Sequence, residues 1–408
     1  MKISILTYIF FLSLCISVQA QQEHTQVEKP QKLKRRDAKG VEDLQLKPEE
    51  ITHINFSRRR LTEFPIDLLK CTNIEELTLS FNEIPTIPNG ISSLKKLKRL
   101  LISNNKISDI PAGINSLPEL EILDISTNPI SSLPDFSGMQ NLKVLNISAL
   151  QLTSIPKTIL GLESLNELNI SNLQLTSFPD LSQLKNLHSL GIDGSRLNEL
   201  PAGIEKLILL RTFSASNNEL TTIPKALLEL PSLRNLTLSK NKINTLPAEI
   251  TNSKTLFSID LSANKLTTVP KELFSLIRLQ NLNLSENLIK SLPIDIPENT
   301  IMRELDLSYN ALTQLPSSLW KCQKLTVLSV DNNLLTTLPN GISALKDLST
   351  LHIGKNPFES IPIKEIMLIP TLRDIGIMSR KDLEKRREEG KSQKSKETNH
   401  KPELKNDK

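Results

Sequence analysis

The chain has 408 residues, of which 38% are hydrophobic and only 3% aromatic. It has too few aromatics for a surface that stacks bases or sugars, and its 12 Gly form no G-x-x-x-x-G-K-[ST] or G-x-G-x-x-G string to cradle a phosphate. The net charge of +5 is local: segment 21–50 holds seven bases and seven acids, segment 379–408 eleven bases and seven acids, and Lys2 is one more base, which leaves 31 of each for 51–378. A neutral body argues against nucleic acid, whose binders carry a basic face on the folded part.

In chain order, Met1–Ala20 reads as a secretory signal peptide. Lys2 is the charged start, Ile3 to Val18 is mostly apolar, and Val18-Gln19-Ala20 is a small-residue cleavage site before polar Gln21-Gln22. Lipid attachment at Cys15 is disfavoured because Leu14, not a small residue, precedes it. No other apolar run reaches the ~20 residues that span a bilayer, so no membrane span is expected after cleavage. Residues 21–50 read as a charged linker and N-terminal cap.

From residue 51 the chain repeats itself. The pattern L-x-x-L-x-L-x-x-N-x-L-x-x-L-P-x-x-I recurs in fourteen consecutive units starting at 51, 74, 97, 120, 142, 165, 187, 210, 233, 256, 279, 302, 325 and 348. Eleven units have 23 residues, those at 120 and 165 have 22, and the last has 24; a fragment, Leu372–Met378, offers one further strand. Column 15 is proline in all fourteen, from Pro65 to Pro362. The L-x-L segment predicts a short strand with its Leu residues inward and the residues between them outward. Column 9, Asn in ten units, predicts a buried polar side chain, because a turn there leaves backbone groups to satisfy and an amide both donates and accepts. Stacked strands at ~4.8 Å, with wider irregular or short helical segments outside, predict an α/β solenoid. It should be curved, with a parallel sheet on the concave face of 51–378. The tail, 379–408, has few apolar residues and mixed charge, and reads as a frayed cap helix followed by disorder.

The 23-residue unit, with L-P or I-P before x-x-I-x-x-L, resembles the typical class of leucine-rich repeats, found in secreted bacterial proteins and in intracellular Ras-pathway scaffolds. With its leader, and with Asp43-Leu44-Gln45-Leu46-Lys47-Pro48-Glu49-Glu50 ahead of the first unit, the chain looks most like the secreted bacterial group. The resemblance implies a non-enzymatic module that binds a protein ligand, secreted, periplasmic or surface-exposed. An intracellular Ras-pathway-like signalling scaffold is the alternative if the leader is not cleaved.

No constellation for chemistry emerges. Cys71 and Cys322 both occupy column 21, usually Leu, and stand eleven units apart, roughly 50 Å of ladder against the ~7 Å limit for a disulfide. The five His fall in separate units or flanks, so neither a metal centre nor a Cys–His nucleophile is expected, and no cofactor. The acids of the concave face, Glu76, Asp124, Glu167, Asp260, Glu304 and Asp306, read as scattered and solvated. Asn-x-Ser/Thr at Asn55, Asn146, Asn169, Asn235 and Asn283 reads as a by-product of the strand motif.

An exposed apolar group in consecutive units, Phe81, Leu101, Ile122 and Val144, is the expected ligand contact on the concave face, and Leu288, Tyr309, Val327 and Leu334 further along are a second candidate patch. Units five to seven replace the column-9 Asn by Leu150, Leu173 and Ser195, which reads as an irregular joint. Arg58-Arg59-Arg60 reads as charge that blunts the exposed first edge of the sheet.

Overall fold

The structure is a computed structural model and describes residues 37, 38, 44, 47–298 and 301–376. The leader, most of the 21–50 segment and the 379–408 tail lie outside the described residues.

The L-x-L segments form one parallel sheet of sixteen strands in chain order. They are β1 (Asp37–Ala38), β2 (His53–Asn55), β3 (Glu76–Thr78), β4 (Arg99–Leu101), β5 (Ile122–Asp124), β6 (Val144–Asn146), β7 (Glu167–Asn169), β8 (Ser189–Gly191), β9 (Thr212–Ser214), β10 (Asn235–Thr237), β11 (Ser258–Asp260), β12 (Asn281–Asn283), β13 (Glu304–Asp306), β14 (Val327–Ser329), β15 (Thr350–His352) and β16 (Asp374–Ile375). Strands β2 to β15 occupy columns 3–5 of the fourteen units, and like columns pair with like: Leu100 with Leu123, Leu236 with Ile259, Leu305 with Leu328. Each column is therefore a continuous row across the sheet. The central residue of each three-residue strand is buried, and its neighbours lie half-buried on the other face in nearly every case. The buried rows join into one apolar core from Leu44 to Ile375.

β1 is not announced by the repeat. It pairs with β2 through Asp37–His53 and Ala38–Ile54, so unit one is not the edge of the sheet and its arginines do not blunt one. The Arg58 guanidinium instead lies 4.7 Å over the Phe81 ring.

The column-9 amides hold the turns together. Asn241 is 7% exposed; its Nδ2 donates to the carbonyls of Leu238 at 3.0 Å and of Ala215, one unit back, at 2.9 Å. Its Oδ1 accepts from the Leu220 N–H at 3.1 Å. The same bonds recur at Asn105, Asn128, Asn264, Asn287 and Asn333, so each Asn ties its own turn to the preceding one. Just before it, column 8 has positive φ in all fourteen units, from Arg58 to Lys355. The tight left-handed step swings column 9 inward.

Proline ends the ascending loop and opens the outer turn. Where the outer segment is a helical turn, the Pro carbonyl usually accepts the N–H three residues on, as from Ile91 to Pro88, Leu227 to Pro224 and Leu273 to Pro270. The two 22-residue units differ here. After Pro134 and Pro179 comes Asp, and Asp135 and Asp180 accept the N–H of Ser137 and Ser182 at 2.9 and 2.8 Å. This Asx turn replaces the helical turn with one residue fewer. Cys71 and Cys322 are both free and buried in the core, and burial, with Asp67 and Glu49 nearby, pushes the Cys71 thiol up to about 11.

If the column-9 amide is a buried cross-link, Asn241→Leu leaves the Leu220 N–H without its partner, takes one of two amide donors from each of the Ala215 and Leu238 carbonyls, and destabilises the array by ~1–3 kcal/mol. Chemical denaturation of the variant against wild type measures this. An unchanged midpoint contradicts the assignment, since Leu150 shows that the column accommodates Leu sterically.

Candidate functional site

Four rows face outward on the concave side: columns 3 and 5 on the strands, column 8 at the left-handed step, and column 10 on the rim beyond it. Column 7 is mostly Ser and is buried, for example at Ser80, Ser103 and Ser239. Its hydroxyls bond across units, Ser103 to Ser80 at 3.1 Å and Ser239 to Ser216 at 3.0 Å.

Column 5 controls the polarity of the face. Where it carries Asp or Asn, the side chain turns back to accept the N–H of the column-7 Ser: Asp124 from Ser126 at 3.0 Å, Asn146 from Ser148 at 3.2 Å, Asn283 from Ser285 at 3.0 Å, Asp306 from Ser308 at 2.9 Å. Of the Asn-x-Ser/Thr asparagines, Asn55, Asn146, Asn169 and Asn283 are thus engaged in backbone turns. The expectation of freely solvated acids fails for part of the face. Burial raises Asp124, Glu167 and Asp260 above the ordinary carboxylate range, opposed at the two aspartates by the serine hydrogen bonds. At the two aspartates the cause is geometric, because an oxygen that caps a turn lies against the sheet and loses water.

Unit seven, where the Asn column fails, carries a different cross-link. Asp193 Oδ1 accepts from the Ser214 hydroxyl at 2.5 Å and the Ser216 N–H at 2.6 Å, while the Asp193 N–H donates to Ser171 Oγ at 3.0 Å. Through its carboxylate and its N–H, Asp193 links three successive units. Next to it Gly194 holds the left-handed step at φ +62°, where a Cβ would collide with the Asn172 side chain. Leu150 and Leu173 fill column 9 with buried apolar side chains instead.

The first candidate group is only partly brought together. Ile122 and Val144 are direct partners on β5 and β6. Leu101 pairs with Asp124 and so lies diagonal to Ile122. Arg99 and Glu167 bracket the apolar pair in its row. Phe81 belongs elsewhere, 49% exposed and stacked under Arg58.

In the second group, Leu288 and Leu334 share column 10, with Ala311 between them. Their N–H groups donate to Leu266, Ile289 and Leu312 along one ladder. Tyr309 stands beside them at the left-handed step. Leu288, Tyr309 and Leu334 are 53%, 53% and 52% exposed. Val327 lies at the opposite end of its strand, paired with Glu304 and Thr350, and is not part of this ridge. Elsewhere column 10 is mostly charged or polar, with ion pairs across units at Glu83 with Lys106, 2.7 Å, and Glu219 with Lys242, 2.8 Å. The switch from ion pairs to Leu-Ala-Leu is the signal that column-by-column reading of the rim supplies. Among the described residues, no group of three His, Cys, Asp or Glu could hold a metal ion, and no helix is long and apolar enough to cross a membrane.

Family models described as leucine-rich repeat region and leucine rich repeat match residues 86–195, and residues 185–243 and 299–361, respectively. No curated protein matches the chain. Among solved structures, a leucine-rich repeat protein of Leptospira interrogans is 31% identical, covering 80% of this chain and 84% of that one, with a TM-score of 0.61. An internalin of Listeria monocytogenes, 24% identical with a TM-score of 0.60, covers 82% of this chain and 88% of its own. The ectodomain of a plant membrane receptor kinase from Arabidopsis thaliana, solved in complex with Casparian strip integrity factor 2, is 26% identical with a TM-score of 0.61 and covers 83% of this chain. This chain spans only 45% of that receptor chain.

Burial raises Asp193 as it does Asp124 and Asp260. A carboxyl raised on folding contributes stability that is present below its unfolded value, near 3.8, and is lost as pH rises through the folded one. Asp193→Asn keeps an oxygen for Ser214 and Ser216 and removes the charge. The wild type should therefore gain in unfolding midpoint relative to Asp193→Asn as pH falls from 7.5 toward 4. A difference that stays flat or moves the other way contradicts a raised carboxyl at the joint.

Proposed function

The chain belongs to the leucine-rich repeat family, and from that premise we propose that it is a non-enzymatic binding module, secreted or surface-exposed, that takes a protein ligand on its concave face. The observation that carries this reading is the apolar ridge of Leu288, Ala311 and Leu334 with Tyr309 beside it. The repeat imposes the left-handed step on column 8 in every unit, and it holds the Tyr309 side chain half-exposed beside the leucines, where it gains little from the core. A protein interface, whose energetic centre is enriched in aromatic and large apolar anchors, is the setting such a group fits. The receptor ectodomain noted above was solved in complex with Casparian strip integrity factor 2 on a similar architecture, which supports the reading by likeness. The Ile122–Val144 pair with Leu101 is the second proposed contact, smaller and half-buried.

A secreted or surface location rests on the Met1–Ala20 segment, with a bacterial source implied by the group it resembles. Sequencing the N-terminus of the mature protein should return a start at Gln21; a start at Met1 removes this part of the proposal.

The ligand can be captured with the full chain and its affinity measured for two double variants. Leu288→Ser with Leu334→Ser should leave the unfolding midpoint nearly unchanged and weaken binding at least about tenfold, the equivalent of ~1.4 kcal/mol. Leu101→Ser with Ile122→Ser is the matched comparison at the other group. Loss in the second variant alone assigns the ligand to the N-terminal contact. Loss in neither removes both apolar groups from the site.

A further inference from the structure

The flank of the sheet where the chain enters each strand, column 2, carries a second surface. Along units two to five this row is a chain of ion pairs, Glu75 with Lys98 at 3.0 Å and Glu121 with Lys143 at 3.1 Å. From unit eight the pattern changes. Column 2 becomes Arg211, Arg234, Phe257, Gln280 and Arg303, and Arg278 projects from the end of the intervening outer segment. The row is contiguous, since the N–H of Arg234 donates to Arg211, of Phe257 to Arg234, of Gln280 to Phe257 and of Arg303 to Gln280 at 2.7–2.9 Å. All four arginines are exposed. Among the described residues none of them forms an ion pair, and Arg303 Nε donates to the neutral Gln280 side chain at 3.0 Å. At the centre of the band is a groove of about 380 Å³ lined by Arg234, Asn235, Thr255, Phe257 and Arg278. Phe257, 39% exposed, lies in its wall.

We propose that this flank groove binds an acidic, extended peptide segment of a partner protein, its carboxylates on Arg211, Arg234, Arg278 and Arg303 and one apolar side chain on Phe257. Guanidinium forks take carboxylates with two parallel hydrogen bonds. Four rungs of ~4.8 Å give a band of roughly 19 Å, the length of about six residues of extended chain at ~3.3 Å each. The charge distribution selects the class of ligand. Asp260 and Glu304 lie on the adjoining strands, so a long polyanion that spread onto the sheet would meet carboxylates, while a short acidic segment stays within the band. The apolar contact is a single ring, Phe257, in the groove wall, which matches one side chain of a peptide and offers no apolar patch for a bilayer. The inference concerns a surface distinct from the apolar ridge and stands independently of it.

The test uses the full chain and fluorescence anisotropy in 150 mM salt. The probe is a labelled eight-residue peptide alternating Asp and Glu around one central Leu, and its neutral counterpart carries Asn and Gln. The acidic peptide should bind at least tenfold tighter than the neutral one. Arg234→Glu with Arg278→Glu should weaken it at least tenfold, and Lys98→Glu with Lys143→Glu, on the paired part of the same row, should change it less than twofold. Should the arginine reversal fail to fold by circular dichroism, Arg234→Gln with Arg278→Gln is measured against the same expected loss. Equal binding of the two peptides, or an affinity untouched by the arginine variants, overturns the proposal. So does tighter, arginine-dependent binding of a single-stranded oligonucleotide of equal charge or of phosphatidylserine vesicles, which would assign the band to nucleic acid or membrane.

Discussion

The structure depends on one recurrent hydrogen-bonding constraint. A chain that turns back into its own core every 23 residues carries peptide groups away from water at each turn, and each must find a partner. The column-9 amide meets this by donating to two carbonyls and accepting an N–H, from its own turn and the one before. Because every amide reaches back one unit, the turns cannot be satisfied singly. Stacking is a requirement of the hydrogen bonds as much as of the buried leucines.

That constraint fixes the rest of the unit. The left-handed step at column 8 aims the amide inward, so even a phenylalanine, a tyrosine and a threonine adopt positive φ at Phe81, Tyr309 and Thr127. The central strand residue must be apolar, and the proline must begin the outer turn. Columns 2, 3, 5, 8 and 10 are left free of the core. Where the amide is absent the array finds another connection: in unit seven Asp193 joins Ser171, Ser214 and Ser216 across three strands.

The free columns hold the distinctive surfaces. On the flank the early units match acid with base along a row, and Glu83 with Lys106 does the same on the rim, which keeps the surface soluble without a strong field. The later units give this up in two ways. Column 10 becomes apolar at Leu288, Ala311 and Leu334, and column 2 becomes arginine around Phe257. These surfaces border overlapping strands from opposite ends, with Asp260 and Asp306 between them on the sheet. Units eight to thirteen therefore have a chemical asymmetry that units two to five lack.

The sequence by itself determined the solenoid, its parallel sheet and the buried role of column 9. These follow from periodicity, and a period repeated fourteen times leaves one arrangement that buries every Leu at once. It also placed Cys71 and Cys322 in the core, because each stands in a column of leucines. Only the tertiary structure decided features that depend on neighbours one unit away. No local signal showed that residues 37–38 add a strand before the first unit, or that Arg58 covers Phe81. The half-buried state of Asp124 and Asp260 was equally illegible, since an acid on an outward column looks solvated until its oxygen is seen capping the serine turn beside it. The separation of Val327 from Leu288, Tyr309 and Leu334 belongs here too. Residues close in unit number lie at opposite ends of a strand, and proximity on a solenoid is set by shared column, a property of the stacked register and not of distance along the chain.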